Sequence, residues 1–107
     1  MKNYYVITFD HTGGKDFLED MIEIILKLGG NNLTYVTKTT INFWTSIAIF
    51  KNLNKALSKE TDLNYFICRI QKDDNGTPIC SSTNKNTSDI KSFNVKVKKI
   101  KEKMNSK

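Results

Sequence analysis

One proline, one histidine, one tryptophan, one arginine and two cysteines are all that 107 residues hold of these types. Each scarcity excludes something. His11 is alone, so no histidine-rich metal site can be built from this chain by itself. Cys68 and Cys80 stand at a spacing that matches no zinc or redox motif, and Cys68 is expected as a buried thiol. No stretch of about 18 apolar residues exists that could span a bilayer. The first residues, Met1-Lys2-Asn3, lead directly into an apolar run that Asp10 ends, which does not look like a signal peptide; the expected compartment is the cytoplasm, with no membrane partner.

What the chain has in excess is lysine. The net charge is +6 and its distribution is uneven. Residues 1–70 carry eight basic and seven acidic residues, a net of +1. Residues 71–107 carry nine basic and four acidic, a net of +5. The basic character therefore belongs to the C-terminal part. Such a segment is an electrostatic handle for nucleic acid or another anion, or a device for solubility.

The chain pattern up to residue 70 alternates strands and helices. Tyr4–Asp10 is aromatic and β-branched on both faces, which suits a central strand. After His11-Thr12-Gly13-Gly14, Asp16 with Glu19 three residues on has the form of a capping box. Phe17, Met21, Ile24, Ile25 and Leu28 then recur at helical spacing, and Gly29-Gly30 ends the helix. Leu33–Trp44 is long for one strand and reads as two strands or a bent one, broken near Lys38–Thr40. Thr45-Ser46 is the expected cap of a second helix, although Ser46–Phe50 also suits an extended strand. Ile49, Phe50, Leu53, Ala56 and Leu57 give that helix its apolar stripe, and Glu60-Thr61-Asp62 closes it. Leu63–Ile70 reads as a strand.

The order strand, helix, strand, strand, helix, strand is the split βαβ arrangement. The expected fold is α+β: a ferredoxin-like βαββαβ sandwich, with two helices on one face of a four-stranded antiparallel sheet. Residues 1–70 form this core domain. Residues 71–91 are expected as a turn or short hairpin, with Asp74-Asn75-Gly76 as the turn, and then a polar loop. Residues 92–107 are expected as an added strand with a basic tail, because Phe93, Val95 and Val97 alternate with Asn94, Lys96 and Lys98. Lys91, Lys96, Lys98, Lys99, Lys101, Lys103 and Lys107 make that tail a candidate phosphate-binding segment for DNA or RNA.

Taken together, Tyr4–Asp10, the helix ending in Gly-Gly, the threonine-rich strand pair, the second helix and Leu63–Ile70 resemble CRISPR-associated protein 2 and its relatives over about residues 3–70. In that family the first strand ends in an aromatic or aliphatic residue followed by aspartate, here Phe9-Asp10. The resemblance implies a homodimer in which the two Asp10 carboxylates face each other and share Mg²⁺ or Mn²⁺, and a last strand, here Ser92–Ile100, added to the partner's sheet. It implies an endonuclease with Asp10 as metal ligand and catalytic residue. His11 is a candidate general acid or base beside it. The family's basic segment after the aspartate is replaced here by His11-Thr12-Gly13-Gly14.

Blander uses of the same residues stand alongside. Asp10 suits a turn start, and His11 an exposed position beside a glycine-rich turn. Gly13-Gly14-Lys15 precedes a helix but lacks the P-loop spacing. Tyr4, Tyr35, Phe43, Trp44, Tyr65 and Phe66 provide flat rings for stacking bases, or for core and dimer packing. The alternative to a nuclease is a non-catalytic protein-binding module, such as a small phage-encoded, anti-CRISPR-like inhibitor of a host defence system.

Overall fold

A computed structural model describes residues 2–46, 49–81 and 83–106. Seven elements follow one another: β1 (Asn3–His11), α1 (Leu18–Lys27), β2 (Asn31–Thr37), β3 (Thr40–Thr45), α2 (Phe50–Ser58), β4 (Leu63–Ile70) and α3 (Thr87–Asn105). The protein is α+β, and the described residues form four strands in one antiparallel sheet ordered β2-β3-β1-β4 and three helices. No helix among the described residues is long and apolar enough to cross a membrane.

β1 is central because β3 pairs with one of its edges and β4 with the other. Its odd residues Tyr5, Ile7 and Phe9 are buried, and they meet Phe43 and Ile41 of β3 on the same side. Tyr5 and Phe43 stack with ring centres 5.6 Å apart. Leu18, Met21, Ile22 and Ile25 of α1, Leu53 and Leu57 of α2, and Ile49 close this core from above.

α1 starts one residue later than a cap at Asp16 would place it. Asp16 instead makes an Asx turn, its carboxylate accepting from the Leu18 N–H at 3.0 Å, and Phe17 occupies the cap position. Phe17 is buried against Phe9, so packing decides the first turn. The C-terminus follows the sequence: Gly29 takes φ +96°, its N–H bonds Leu26 O, and the Gly30 N–H bonds Ile25 O, which is the Schellman arrangement.

The second helix also starts late. Thr45 pairs with Asn3 and ends β3 fully buried, so the sheet register takes the residue expected as a cap. Ile49 is the cap and Phe50 the first helical residue. The part of the expected start that falls on residues 47 and 48 lies outside the described residues, as does Lys107 of the tail.

The expected fifth strand is not formed. Residues 92–100 lie inside α3, and the boundary expected after residue 91 falls within the same helix. The period-two pattern of Phe93, Val95 and Val97 is overridden by a helical one: Ile90, Phe93, Val97, Ile100 and Met104 share one face. Phe93 is 1% exposed, whereas Val95, at 50%, points to solvent. Asn86 caps the helix, accepting from the Asp89 N–H at 3.0 Å. Phe93 belongs to the same core as α1 and α2, and α3 packs on α1 and β2, so three helices rather than two lie on one face of the sheet.

The opposite face presents rows of paired residues: Trp44–Tyr4–Ile70, then Asn42–Val6–Cys68, then Thr40–Thr8–Phe66. Cys68 is therefore exposed rather than buried, because Leu63, Tyr65 and Ile67 are the β4 residues that turn to the core. Residues 71–79, where the sequence leaves a turn or a short hairpin open, fold back as a small hairpin arm. The Ile79 N–H bonds Gln71 O, Lys72 bridges Pro78, and Gly76 sits at the turn. This arm lies over the Trp44–Tyr4–Ile70 end of the face and leaves Ile70 only 9% exposed. Beyond it, the Asn84 side chain donates to Val36 O of β2 at 2.6 Å, anchoring the chain at the opposite edge just before α3.

Candidate functional site

Asp10 and His11 end β1, and strand geometry sends their side chains to opposite faces. Asp10 is exposed on the helix-free face, opposite Asn64 of β4. His11 turns to the helical side. Its ring stacks on Phe17 with centres 6.2 Å apart, and its Nδ1 accepts from the Gly13 N–H at 3.1 Å. The two candidate catalytic side chains do not converge on one point within a single copy. Among the described residues, no three His, Cys, Asp or Glu side chains gather where they could hold a metal ion. A metal at Asp10 would need oxygen ligands from elsewhere, since Mg²⁺ prefers about six.

The turn after β1 uses its own polar groups. The Gly14 N–H bonds His11 O, and the Thr12 N–H and hydroxyl both donate to Asp62 O. The Gly13 and Gly14 amides are thus engaged in the turn. Lys15 pairs with Asp20 at 2.8 Å, and this hydrogen bond with the carboxylate's charge holds its ammonium above the usual lysine range.

Six of the seven lysines named as phosphate ligands lie on α3, Lys107 falling outside the described residues, and the six divide by side. Lys96, Lys99 and Lys103 line open grooves of about 510–520 Å³ between α3 and α1, with Glu19, Asp20 and Glu23 in the same walls. Lys98 and Lys101 lie on the other flank, in helical register with Asn94. Lys91, one turn before Asn94, continues that flank and also touches the α1 groove. Asn94 lines a groove along β2 with Asn32, Thr34, Asn84 and Ile90. The Tyr35 phenol on β2 is pushed above its ordinary range, mainly by burial, with the Asp89 charge adding.

The six sheet aromatics also divide. Tyr35, Phe43 and Tyr65 belong to the helical side. Tyr4, Trp44 and Phe66 occupy the other face, where Phe66 is 60% exposed. Between the sheet and the arm is an open-mouthed cavity of about 340 Å³ lined by Tyr4, Trp44, Asn32, Thr34, Asn42 and Pro78, with Thr77, Cys80 and Ser81 at its arm side. The Lys2 ammonium sits 4.6 Å from the Trp44 ring centre. Sequence reasoning did not assemble this group, because it depends on an arm of fifteen or so polar residues returning across the sheet. The asparagines lining it, Asn32 and Asn42, were the available sign. Comparison with protein-family models, with curated proteins and with solved structures found no match.

Proposed function

We propose that this chain is a nucleic-acid-engaging protein that contacts phosphates through the exposed lysines of α3. The observation that carries this reading is the placement of six lysines on one 19-residue helix whose apolar face is fixed in the core. A rigid helix holds these charges at set positions, so less conformational freedom is lost on binding than a frayed tail would lose. We assign the fold to the ferredoxin-like class, supported by the strand order β2-β3-β1-β4 and the antiparallel pairing of every neighbour.

The resemblance to CRISPR-associated protein 2 extends the proposal to a homodimer. Hydrolysis enters only through that dimer: two exposed Asp10 carboxylates would have to meet around Mg²⁺ or Mn²⁺, which would then activate water against a phosphodiester. His11 is held on the other side of the strand by Phe17 and Gly13, so binding is the part of the proposal that its own geometry favours.

Fluorescence anisotropy with labelled DNA and RNA over a salt series tests the binding. The expected result is affinity that falls steeply with salt and is lost when Lys91, Lys96, Lys98, Lys99, Lys101 and Lys103 are all changed to Gln. Absence of binding to either nucleic acid at low salt overturns it. Metal-dependent cleavage that Asp10→Ala abolishes would establish the nuclease; cleavage unaffected by that change would remove Asp10 from it.

A second reading is favoured by one observation. Phe66 and Ile79, each 60% exposed, put apolar surface near the helix-free side of β4 and on the arm, as a protein-binding inhibitor would. A stable protein complex unaffected by the six lysine changes distinguishes it.

A further inference from the structure

We propose that the cavity under the arm receives one base of a single-stranded nucleic acid, so that the strand runs from the α3 lysines across the β2 edge to Trp44. This rests on the nucleic-acid reading above and names its substrate class. At about 340 Å³ the cavity is at the small end of the range of roughly 300–1,000 Å³ typical of small-ligand sites. Its chemistry is that of a planar heterocycle's surroundings. Tyr4 and Trp44 are direct cross-strand partners and supply adjacent rings, with Pro78 over them from the arm. Asn32, Thr34 and Asn42 place amides and a hydroxyl in the wall, where a base edge presents its donors and acceptors. None of the lining residues is acidic, and Lys2 stands beside the Trp44 ring.

A path joins this cavity to α3. Asn32 and Thr34 line both the cavity and the neighbouring groove along β2, whose other wall carries Asn84 and Asn94. Asn94 is three residues after Lys91, four before Lys98 and seven before Lys101, so these lysines flank the groove's outer side. A backbone crossing them meets uncharged amides and then the aromatic pair. Combined basic track and stacking platform is how single strands are held without sequence preference. A duplex cannot use the cavity, because its bases are stacked and paired; only an unpaired or extruded base can enter.

Trp44 is the chain's single tryptophan, so its emission reports on this cavity alone. The test titrates the full chain at low salt with labelled oligothymidylate, oligoadenylate and a duplex of equal length, reading oligonucleotide anisotropy and Trp44 emission together. Single strands are expected to quench Trp44 saturably with the midpoint seen by anisotropy, whereas the duplex binds with little quenching. By anisotropy, Trp44→Ala is expected to weaken single-strand binding about ten- to a hundredfold, the usual effect of losing a base–aromatic stack, while Trp44→Phe keeps most of it. Asn32→Asp, at a backbone position aspartate tolerates, is expected to weaken single-strand binding and spare the duplex. Single-strand binding with unchanged Trp44 emission, or equal quenching by the duplex, overturns the cavity's role and leaves the α3 proposal standing. Quenching that survives neutralisation of the α3 lysines does the reverse. No binding of any oligonucleotide overturns both.

Discussion

The rings of Tyr35 on β2 and Phe93 on α3 lie 5.2 Å apart, tilted by 43°, and this contact joins the C-terminal helix to the sheet. Phe93 has 1% of its surface exposed, so α3 is held by the common core and not only by charge. Phe93→Ala removes a fully buried ring and is expected to cost about 3–5 kcal/mol, including the cavity left behind. Urea unfolding followed by circular dichroism measures this. A cost below about 1 kcal/mol would mean that α3 is not docked as described.

The same contact gives an alkaline signature. Burial and the charge of Asp89 favour the neutral Tyr35 phenol in the fold, raising its value above the unfolded one. The folded state therefore holds that proton more tightly. Its contribution is fully present below about pH 10, the ordinary tyrosine value, and is lost as pH rises from there through the raised folded value. Unfolding midpoints measured across that window should fall with pH, and Tyr35→Phe should fall less. Equal slopes in the two proteins would remove Tyr35 as a source.

How legible the fold was depends on which force decided each segment. β1, β4, the β2–β3 break and the Gly29-Gly30 stop follow local rules of alternation and turn chemistry, and they stand as read. Asp16 and Thr45 carry good cap chemistry, but Phe17 and the β1–β3 register override it through burial. α3 was misread because Phe93, Val95 and Val97 satisfy period two over a short window. The longer face from Ile90 to Met104, with the Asn86 cap, decides the matter over about four turns. At the candidate site, the lysines were legible as charge but not as two flanks of a helix. The opposite facing of Asp10 and His11 follows from adjacency in a strand and was available from sequence. The Trp44 cavity was not, since it requires the arm's path over the sheet.

Gly30 marks a place where backbones approach closely. A Cβ there would lie 2.9 Å from Ile25 O and closer still to the Ile25 side chain, inside the turn that ends α1. Ile25 is fully buried and cannot swing away. Gly30→Ala is expected to destabilise by about 1–3 kcal/mol through overpacking. Thermal unfolding checks it. An unchanged midpoint would show that the α1–β2 turn relaxes without cost.

The two flanks of α3 should respond differently to neutralisation. Lys96, Lys99 and Lys103 share their grooves with Glu19, Asp20 and Glu23, so part of their field is spent inside the molecule. Those acids are themselves engaged, Asp20 by Lys15 and Glu23 by Lys27 at 3.0 Å. An incoming phosphate at this flank meets both signs of charge. Lys98 and Lys101, with Lys91 a turn earlier at the edge of the α1 groove, lie in helical register with Asn94 of the asparagine-lined β2 groove, whose walls carry no charge. Each phosphate contact contributes about 0.9 to the slope of log affinity against log salt for duplex DNA, so changing these three to Gln is expected to flatten that slope by roughly 2–3. Changing the other three should flatten it less and lower the unfolding midpoint, because attraction between α3 and α1 is removed. Equal flattening by both triples would show that phosphates lie along the whole helix rather than on its β2 flank. The strand path to Trp44 would then need a different entry.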